Sequence, residues 1–376
     1  MAVYLDCNAT APIEPRVHKE VVRFMTEEFG NAGSRTHDFG RRANNAVQRA
    51  RDQVASVVNA SRDEVIFTSG ATESNNLALL GLLRYGQQHS RKHIVSTAIE
   101  HKAVIEPLQY MATEGFEISL IPPASGGWVD PEDVRKAVRK DTLLVSVMQA
   151  NNETGVLQPL SEICGVLNGH DCFVHVDAAQ GFGKELESLR NPRLDLISIS
   201  GHKIYGPKGV GALIIRRRGY DRIPLAPLHH GGGQERGLRP GTLPVPLVVG
   251  LGLASEFALH EREERIERCL EHRESALNAL APLGPTFNGD PSRTLSHVLN
   301  ISFAGLDSEA VMLALKDIVA ISNGSACTSQ SYAPSHVLKA MGLSDKVVQG
   351  ALRISWCHMT PDVDWEEVAR TIRKLR

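Results

Sequence analysis

The chain predicts an α/β domain built on a mostly parallel sheet, followed by a smaller α/β unit. Two observations carry this. Short apolar runs alternate with helix-like segments from about residue 60 to residue 215, and a charge-rich helical stretch then leads into a region of different texture. The runs Val65–Thr68, His93–Thr97, Phe116–Ile121, Leu143–Met148, Phe173–Val176, Asp195–Ile199 and Gly211–Ile215 read as buried strands. Pro131–Lys140 reads as a helix, with Asp130 as N-cap and Pro131 in its first turn. Alternation of this kind implies right-handed crossovers and a ligand site at the carboxyl ends of the strands.

From Pro246 to about Leu280 the pattern is one long helix carrying charge pairs such as Glu261 to Arg265, a connector between domains. Beyond it come a Leu295–Phe303 strand, a Ser308–Lys316 helix, a Gly/Ser loop at 322–329 and a closing helix from Pro361. The expected division is a large domain at 15–259 and a small one formed by 1–14 with 260–376.

Composition narrows the function classes. Of 376 residues 42% are hydrophobic and 22% charged, which is ordinary for a globular protein with a large core. A net charge of −2 offers no broad basic surface, so direct nucleic-acid binding is not expected. The Arg216–Arg218 run reads as a solvated strand end. No apolar run reaches membrane-spanning length and no secretory leader opens the chain, so a cytoplasmic protein is expected. The six cysteines form no CxxC pair and match neither a disulfide framework nor a zinc site, which fits a reducing compartment and free thiols.

Three segments carry chemistry. In SISGHKIYGPKG, Lys203 directly follows a strand, beside His202 and turn-forming glycines. Partial desolvation there would free its amine for Schiff-base chemistry, although a lone strand-end lysine is more often only solvated. In FVHVDAAQGFGK, Asp177 ends a strand with Gln180 three residues on. A carboxylate there needs a partner, either a helix start or ion pair, or the pyridinium nitrogen of a cofactor. In VIFTSGATESNN, Ser69-Gly70-Ala71-Thr72 leads from a strand into a helix, a turn whose N–H groups suit a phosphate. It is not a Walker loop, and no GxGxxG opens a helix after a strand.

Together with YLDCNATAP, GNAGSRTHDFGRRA, AIEHKAV, NNETGVLQPL, GGGQERGLRPGTLPV and SNGSACTS, these segments resemble the class V aminotransferase superfamily of fold-type I pyridoxal 5'-phosphate (PLP) enzymes. Within it the chain resembles the group I cysteine desulfurases over nearly its whole length. The resemblance implies PLP on Lys203, with Gly70, Ala71, Thr72, Ser200 and His202 at the phosphate. It places His101 on the ring, Asp177 at the ring nitrogen and Gln180 at the phenolic oxygen. It implies a homodimer in which Thr242 reaches the partner's phosphate, and a substrate carboxylate held by Asn152 and Arg353.

The implied reaction converts L-cysteine to L-alanine. Lys203 moves the α-proton, His101 serves a proton near the sulfur, and Cys327 takes the sulfur as a persulfide for an acceptor protein. Cys327 lies in a small, polar, turn-rich stretch expected to be exposed, whereas Cys7, Cys164, Cys172 and Cys269 read as core or helix residues. Alternatives on the same scaffold are a selenocysteine lyase or an aminotransferase, and outside catalysis a sulfur-pathway scaffold that has lost activity. Three departures stand out. Trp356-Cys357 stands where the family usually has a residue followed by glycine, a bulky pair beside Arg353 expected to bear on the substrate pocket or on the resting place of the loop. Gln234 stands where some relatives carry histidine. The chain ends at Arg376, short of the extension that docks an iron–sulfur scaffold protein, so tRNA thiolation or DNA phosphorothioation enter as acceptor routes. The SNGSACTSQSYAP loop resembles the phosphorothioation type.

Overall fold

The computed structural model describes residues 2–324 and 334–376. Its strands are β1 (Val3–Tyr4), β2 (Val65–Thr68), β3 (His93–Thr97), β4 (Glu117–Ile121), β5 (Thr142–Met148) and β6 (Phe173–Asp177). They continue with β7 (Leu196–Ser200), β8 (Gly211–Ile215), β9 (Thr286–Phe287), β10 (Val298–Ser302), β11 (Val319–Ala320) and β12 (Ala351–Ser355). Seven of them form one sheet in the order β2-β8-β7-β6-β5-β3-β4. Neighbours run parallel except β8, which is antiparallel to both β2 and β7. The expected mostly parallel sheet is therefore present, and the strand ranges read from the sequence for this sheet shift by at most one residue at either end.

Unbroken apolar strands follow from burial on both faces. All seven residues of β5 are buried. Alternate residues feed two different cores: Val65 and Phe67 of β2 with Val145 and Val147 of β5 on one face, Ile66 and Leu144 on the other. The first face is covered by the helices Asp38–Val57 and Val245–His260, whose backbones approach closely. A Cβ added at Gly252 would lie 2.6 Å from the Ala50 Cα.

A second core joins Leu5 to residues between Cys269 and Ile372, on the antiparallel sheet β12-β10-β9 and the parallel pair β1-β11. The chain crosses from β1 toward the large sheet through Leu5–Glu14, bonding to both sides as it goes.

Four local expectations are corrected. The stretch read as one helix is two, Val245–His260 and Arg262–Leu280, broken at Glu261 (φ −105°, ψ 13°). At the break the Glu261 carboxylate accepts from Arg16 at 2.6 and 2.8 Å and from Arg265 at 2.9 Å, so the anticipated Glu261–Arg265 pair survives. The helix at Pro131 ends at Ala137, because Arg139 N–H turns to the Thr142 hydroxyl (2.7 Å) at the entry to β5. Residues 295–297 lie outside β10; Leu295 N–H donates instead to Gly155 O. The closing helix starts at Trp365, capped by Asp364, rather than at Pro361.

Arg51 and Glu235 form a buried ion pair that ties the helix Asp38–Val57 to the sheet. Glu235 also accepts from Phe67 N–H at 2.7 Å, and Arg51 donates to Val65 O at 2.7 Å. Replacing Arg51 with Met strands the carboxylate in the core. Urea unfolding should then show a loss of about 3–5 kcal/mol; a loss below about 1 kcal/mol would mean that the pair does not anchor this helix.

Candidate active site

Five strands of the large sheet, β2, β3, β5, β6 and β7, present their carboxyl ends to one cavity of about 450 Å³. Eleven residues singled out in the sequence line it: Gly70, Ala71, Thr72, His101, Asn152, Asp177, Gln180, Ser200, His202, Lys203 and Arg353. Thr242 is exposed and does not line it. Cys327 lies outside the described residues.

After β2 the chain turns through Gly70 at φ 155°, a conformation that favours glycine, into the helix Ala71–Leu80. A Cβ at Gly70 would come 3.8 Å from Ser200 Oγ, so the turn and the end of β7 form one polar cradle at a helix start. His202 lines the same cradle, with its Nδ1 3.1 Å from Thr10 Oγ1. Burial, helped by the Lys203 and Lys208 cations, depresses its pKa to about 4, so it works as a neutral hydrogen-bonding ring.

At the end of β6, Asp177 is buried and accepts from Asn75 Nδ2 (2.8 Å) and Ala179 N–H (3.0 Å). Both donors are uncharged, which leaves the carboxylate suited to a cation in the cavity. Two residues earlier, His175 is enclosed by Ser146 (2.8 Å) and Ser198 (3.0 Å), and burial lowers its pKa to about 4. Gln180 donates to Asn8 O at 2.9 Å and keeps a second amide N–H.

Lys203 sits on the short turn Gly201–Lys203 after β7. Its amine donates to Asn8 O and, at 2.8 Å, to Ala9 O. His101 caps the helix Lys102–Thr113, its Nδ1 accepting from Ala103 N–H at 3.1 Å, an arrangement that places a neutral ring's proton on Nε2. On β12, Arg353 is buried and Asn152 contributes its carbonyl to that guanidinium (3.1 Å).

The sequence reading missed the residues that set these positions. Asn8, Thr10 and Asn75 line the cavity, and Asp6 pairs with Arg353 at 2.7 Å. The polar run Asp6-Cys7-Asn8 after the apolar Val3–Leu5 was the available signal. Trp356-Cys357 does not reshape the pocket: neither residue lines it. Trp356 joins Leu352 and Ile354 of β12 in the apolar core of the smaller sheet, whereas Arg353 lines the cavity. Trp356 is fully buried, donates its indole N–H to Cys269 O (2.9 Å) and packs edge-on to Trp365. The Cys357 thiol hydrogen-bonds Cys7. At the start of the stretch expected to be exposed, Ser322 and Gly324 are in fact buried, each hydrogen-bonded to Arg353.

The residues of the cavity fit PLP. The polar cradle at Gly70, the buried Asp177 carboxylate and the half-buried Lys203 amine occupy one cavity. Buried oxygens on Asn8, Asn75 and Gln180 have no partner among the described residues, as expected of a site built to receive a polar group.

Glu100, beside His101, is fully buried; its Oε1 accepts from the Thr97 hydroxyl (2.7 Å) and Met148 N–H (2.8 Å). Burial raises its pKa to about 8, with the Asp177 charge adding to the rise. The folded state thus holds a proton that the unfolded chain releases above its ordinary value of 4.5, so the stability this acid confers falls as pH rises from there through about 8. Glu100→Gln mimics the protonated acid. Its Tm should match wild type at about pH 5 and exceed it increasingly toward about pH 8; a constant Tm difference across that range would show that Glu100 is ionised in the fold.

Residues 3–369 match the aminotransferase class-V family. The chain is 46% identical over 383 aligned positions to the cysteine desulfurase IscS of Rickettsia prowazekii (strain Madrid E), covering 100% of this chain and 92% of that protein. It is similar to the solved structure of DndA from Streptomyces lividans, with a TM-score of 0.83, 48% identity and coverage of 93% and 98% of the two chains. It is similar also to SspA in complex with cysteine, with a TM-score of 0.84, 34% identity and coverage of 96% and 100%. With that match spanning nearly its full length, and an amine, an acid and a glycine turn at a helix start meeting at the strand ends, this chain belongs to the aminotransferase class-V family.

Proposed function

We propose that this protein is a PLP-dependent cysteine desulfurase of fold-type I, converting L-cysteine to L-alanine and passing the sulfur, as a persulfide, to an acceptor protein. The single observation that carries the reading is the meeting of Lys203, Asp177 and Arg353 in one cavity. Its support outside the chain is the full-length similarity to IscS and the similarity to SspA in complex with cysteine.

In this reading Lys203 would hold the cofactor's aldehyde carbon in the resting site, and its amine would be set free as a base when the amino group of the substrate takes its place. Gly70, Ala71, Thr72, Ser200 and His202 hold its phosphate, Asp177 its ring nitrogen, Gln180 its phenolic oxygen, and His101 lies against its ring. When bound, PLP supplies an electron sink for the bonds at the substrate's α-carbon. The chain's own groups do the rest. Arg353, with Asn152, grips the carboxylate of L-cysteine and orients its Cα–H toward Lys203. The Lys203 amine takes that proton, and His101 exchanges a proton near the substrate sulfur. The Cys327 thiolate attacks the sulfur, so that the Cβ–S bond breaks as the S–S bond forms; the electron pair left on Cβ takes a proton, the Lys203 ammonium returns one to Cα, and the product leaves as alanine. The five described cysteines are buried and line no part of the cavity, which suits a thiol supplied from elsewhere.

We assign the large domain to residues 15–259 and the small one to 1–14 with 260–376, each with its own apolar core. The unit of function in this reading is a homodimer. Thr242, exposed and outside its own cavity, reaches the partner's phosphate cradle. The exposed Phe29 and Phe39, stacked 5.5 Å apart, give an apolar surface of the kind dimers bury. Five free thiols among the described residues suit a reducing, cytoplasmic setting, and among the same residues no helix is long and apolar enough to cross a membrane. Among acceptors we favour a DNA-modifying partner, on the resemblance of the SNGSACTSQSYAP loop.

The deciding experiment follows alanine and sulfide release from L-cysteine under a thiol reductant, for wild type and Cys327→Ala in parallel. Wild type should yield both products. The variant should keep its yellow cofactor and lose at least about 100-fold in rate. Equal activity in the two proteins would remove the persulfide role of Cys327 and favour a lyase or transaminase.

A further inference from the structure

Arg353 is a buried cation with an ordered set of partners. Its side chain is 2% exposed. Nη2 donates to Asp6 Oδ1 at 2.7 Å, and the same oxygen accepts from Ser322 Oγ at 3.0 Å. Nη1 makes longer bonds, to Asn152 O at 3.1 Å and Gly324 O at 3.5 Å. Nε is buried with no partner among the described residues. The guanidinium therefore already carries one carboxylate from its own chain, placed there by the crossing segment 347 residues earlier in sequence.

A desolvated guanidinium without a counter-ion is costly, and with one it is fixed in place. A second carboxylate brought to the same cation gains its attraction but meets the charge of the first. The N–H groups left for it among the described residues are Nε and the second N–H of Nη2, while both of Nη1's are taken by carbonyl oxygens at longer range. We propose that Asp6 is a specificity-determining positioning residue, which holds Arg353 in place and, by its negative charge, sets how tightly the site binds the carboxylate of an amino-acid substrate. The inference rests on the reading that Arg353 receives that carboxylate. Asp6 thus fixes the geometry of the cation at the expense of substrate affinity. Ser322, bonded to the same carboxylate oxygen and to Arg353 through both of its backbone groups, keeps Asp6 in line.

Two Asp6 variants separate charge from position. Asp6→Asn keeps an oxygen for Nη2 and for the Ser322 hydroxyl while removing the charge; Asp6→Ala removes both. The measurements on PLP-loaded enzyme are kcat and KM for L-cysteine, and the inhibition constant of cysteamine, which lacks the carboxylate. Asp6→Asn should lower the KM for L-cysteine about fivefold and leave the cysteamine constant unchanged, the effect falling on KM rather than kcat. Asp6→Ala should raise KM by about tenfold or more as Arg353 loses its anchor; should that variant not fold, Asp6→Asn decides alone.

An unchanged or raised KM in Asp6→Asn overturns the inference. Arg353→Lys distinguishes the two levels at which it can fail. If Arg353→Lys weakens L-cysteine but not cysteamine, Arg353 does receive the carboxylate and only the role of Asp6 is wrong. If Arg353→Lys weakens both equally, the reading beneath is wrong and the inference falls with it.

Discussion

The active-site cavity depends on a ten-residue crossing of backbone, Leu5–Glu14, that bonds to everything around it. Leu5 N–H donates to Ala320 O, Cys7 N–H to Ser355 O, Ala11 N–H to His202 O and Glu14 N–H to Tyr205 O. Asn8 N–H donates to the Ser355 hydroxyl at 2.9 Å. The carbonyls of Asn8 and Ala9 accept from Lys203, and that of Asn8 also from Gln180. The segment is thus a common reference for the amine on the large sheet and the guanidinium on β12. Where such a strap is buried, its polar groups have to be bonded because water cannot reach them.

Around that reference the strand ends hold acids in different states. Asp177 accepts from the Asn75 amide and the Ala179 backbone N–H. Glu100 accepts from a hydroxyl and one N–H in full burial, and keeps its proton near neutral pH. Glu153 is likewise raised by burial; it takes the Ser335 hydroxyl at 2.5 Å and lies within reach of the Arg353 and His101 charges. Burial lowers the pKa of His175, which lies within reach of the Asp177 charge, and that of His202, both to about 4. Of these acids Asp177 faces the cavity, and Asp6 pairs with the Arg353 guanidinium.

The large sheet was legible in the sequence because burial on both faces leaves unbroken apolar runs with turn residues between them. The cavity residues were legible where local sequence dictates the function: a lysine after a strand, an aspartate ending one, a glycine turn opening a helix. What escaped was non-local. Nothing near Asp6 announces an arginine 347 positions away, and Asn75 reads as an ordinary helix residue until β6 brings Asp177 beside it. The break at Glu261 was hidden for the same reason, since Arg16, 245 positions earlier, draws the carboxylate out of the helix pattern. Trp356-Cys357 read as a pocket feature because the parity of β12 around Arg353 cannot be seen without its pairing to β10.

Hydrogen exchange on the folded protein tests most directly whether the crossing segment is the frame of the site. The amides of Leu5, Cys7, Ala11 and Glu14 should exchange as slowly as those of β5 and β6, because opening them requires parting both cores. If those four amides exchange at the rate of an exposed loop while β5 and β6 stay protected, the segment is only laid over the site, and Lys203 and Arg353 owe their positions to other contacts.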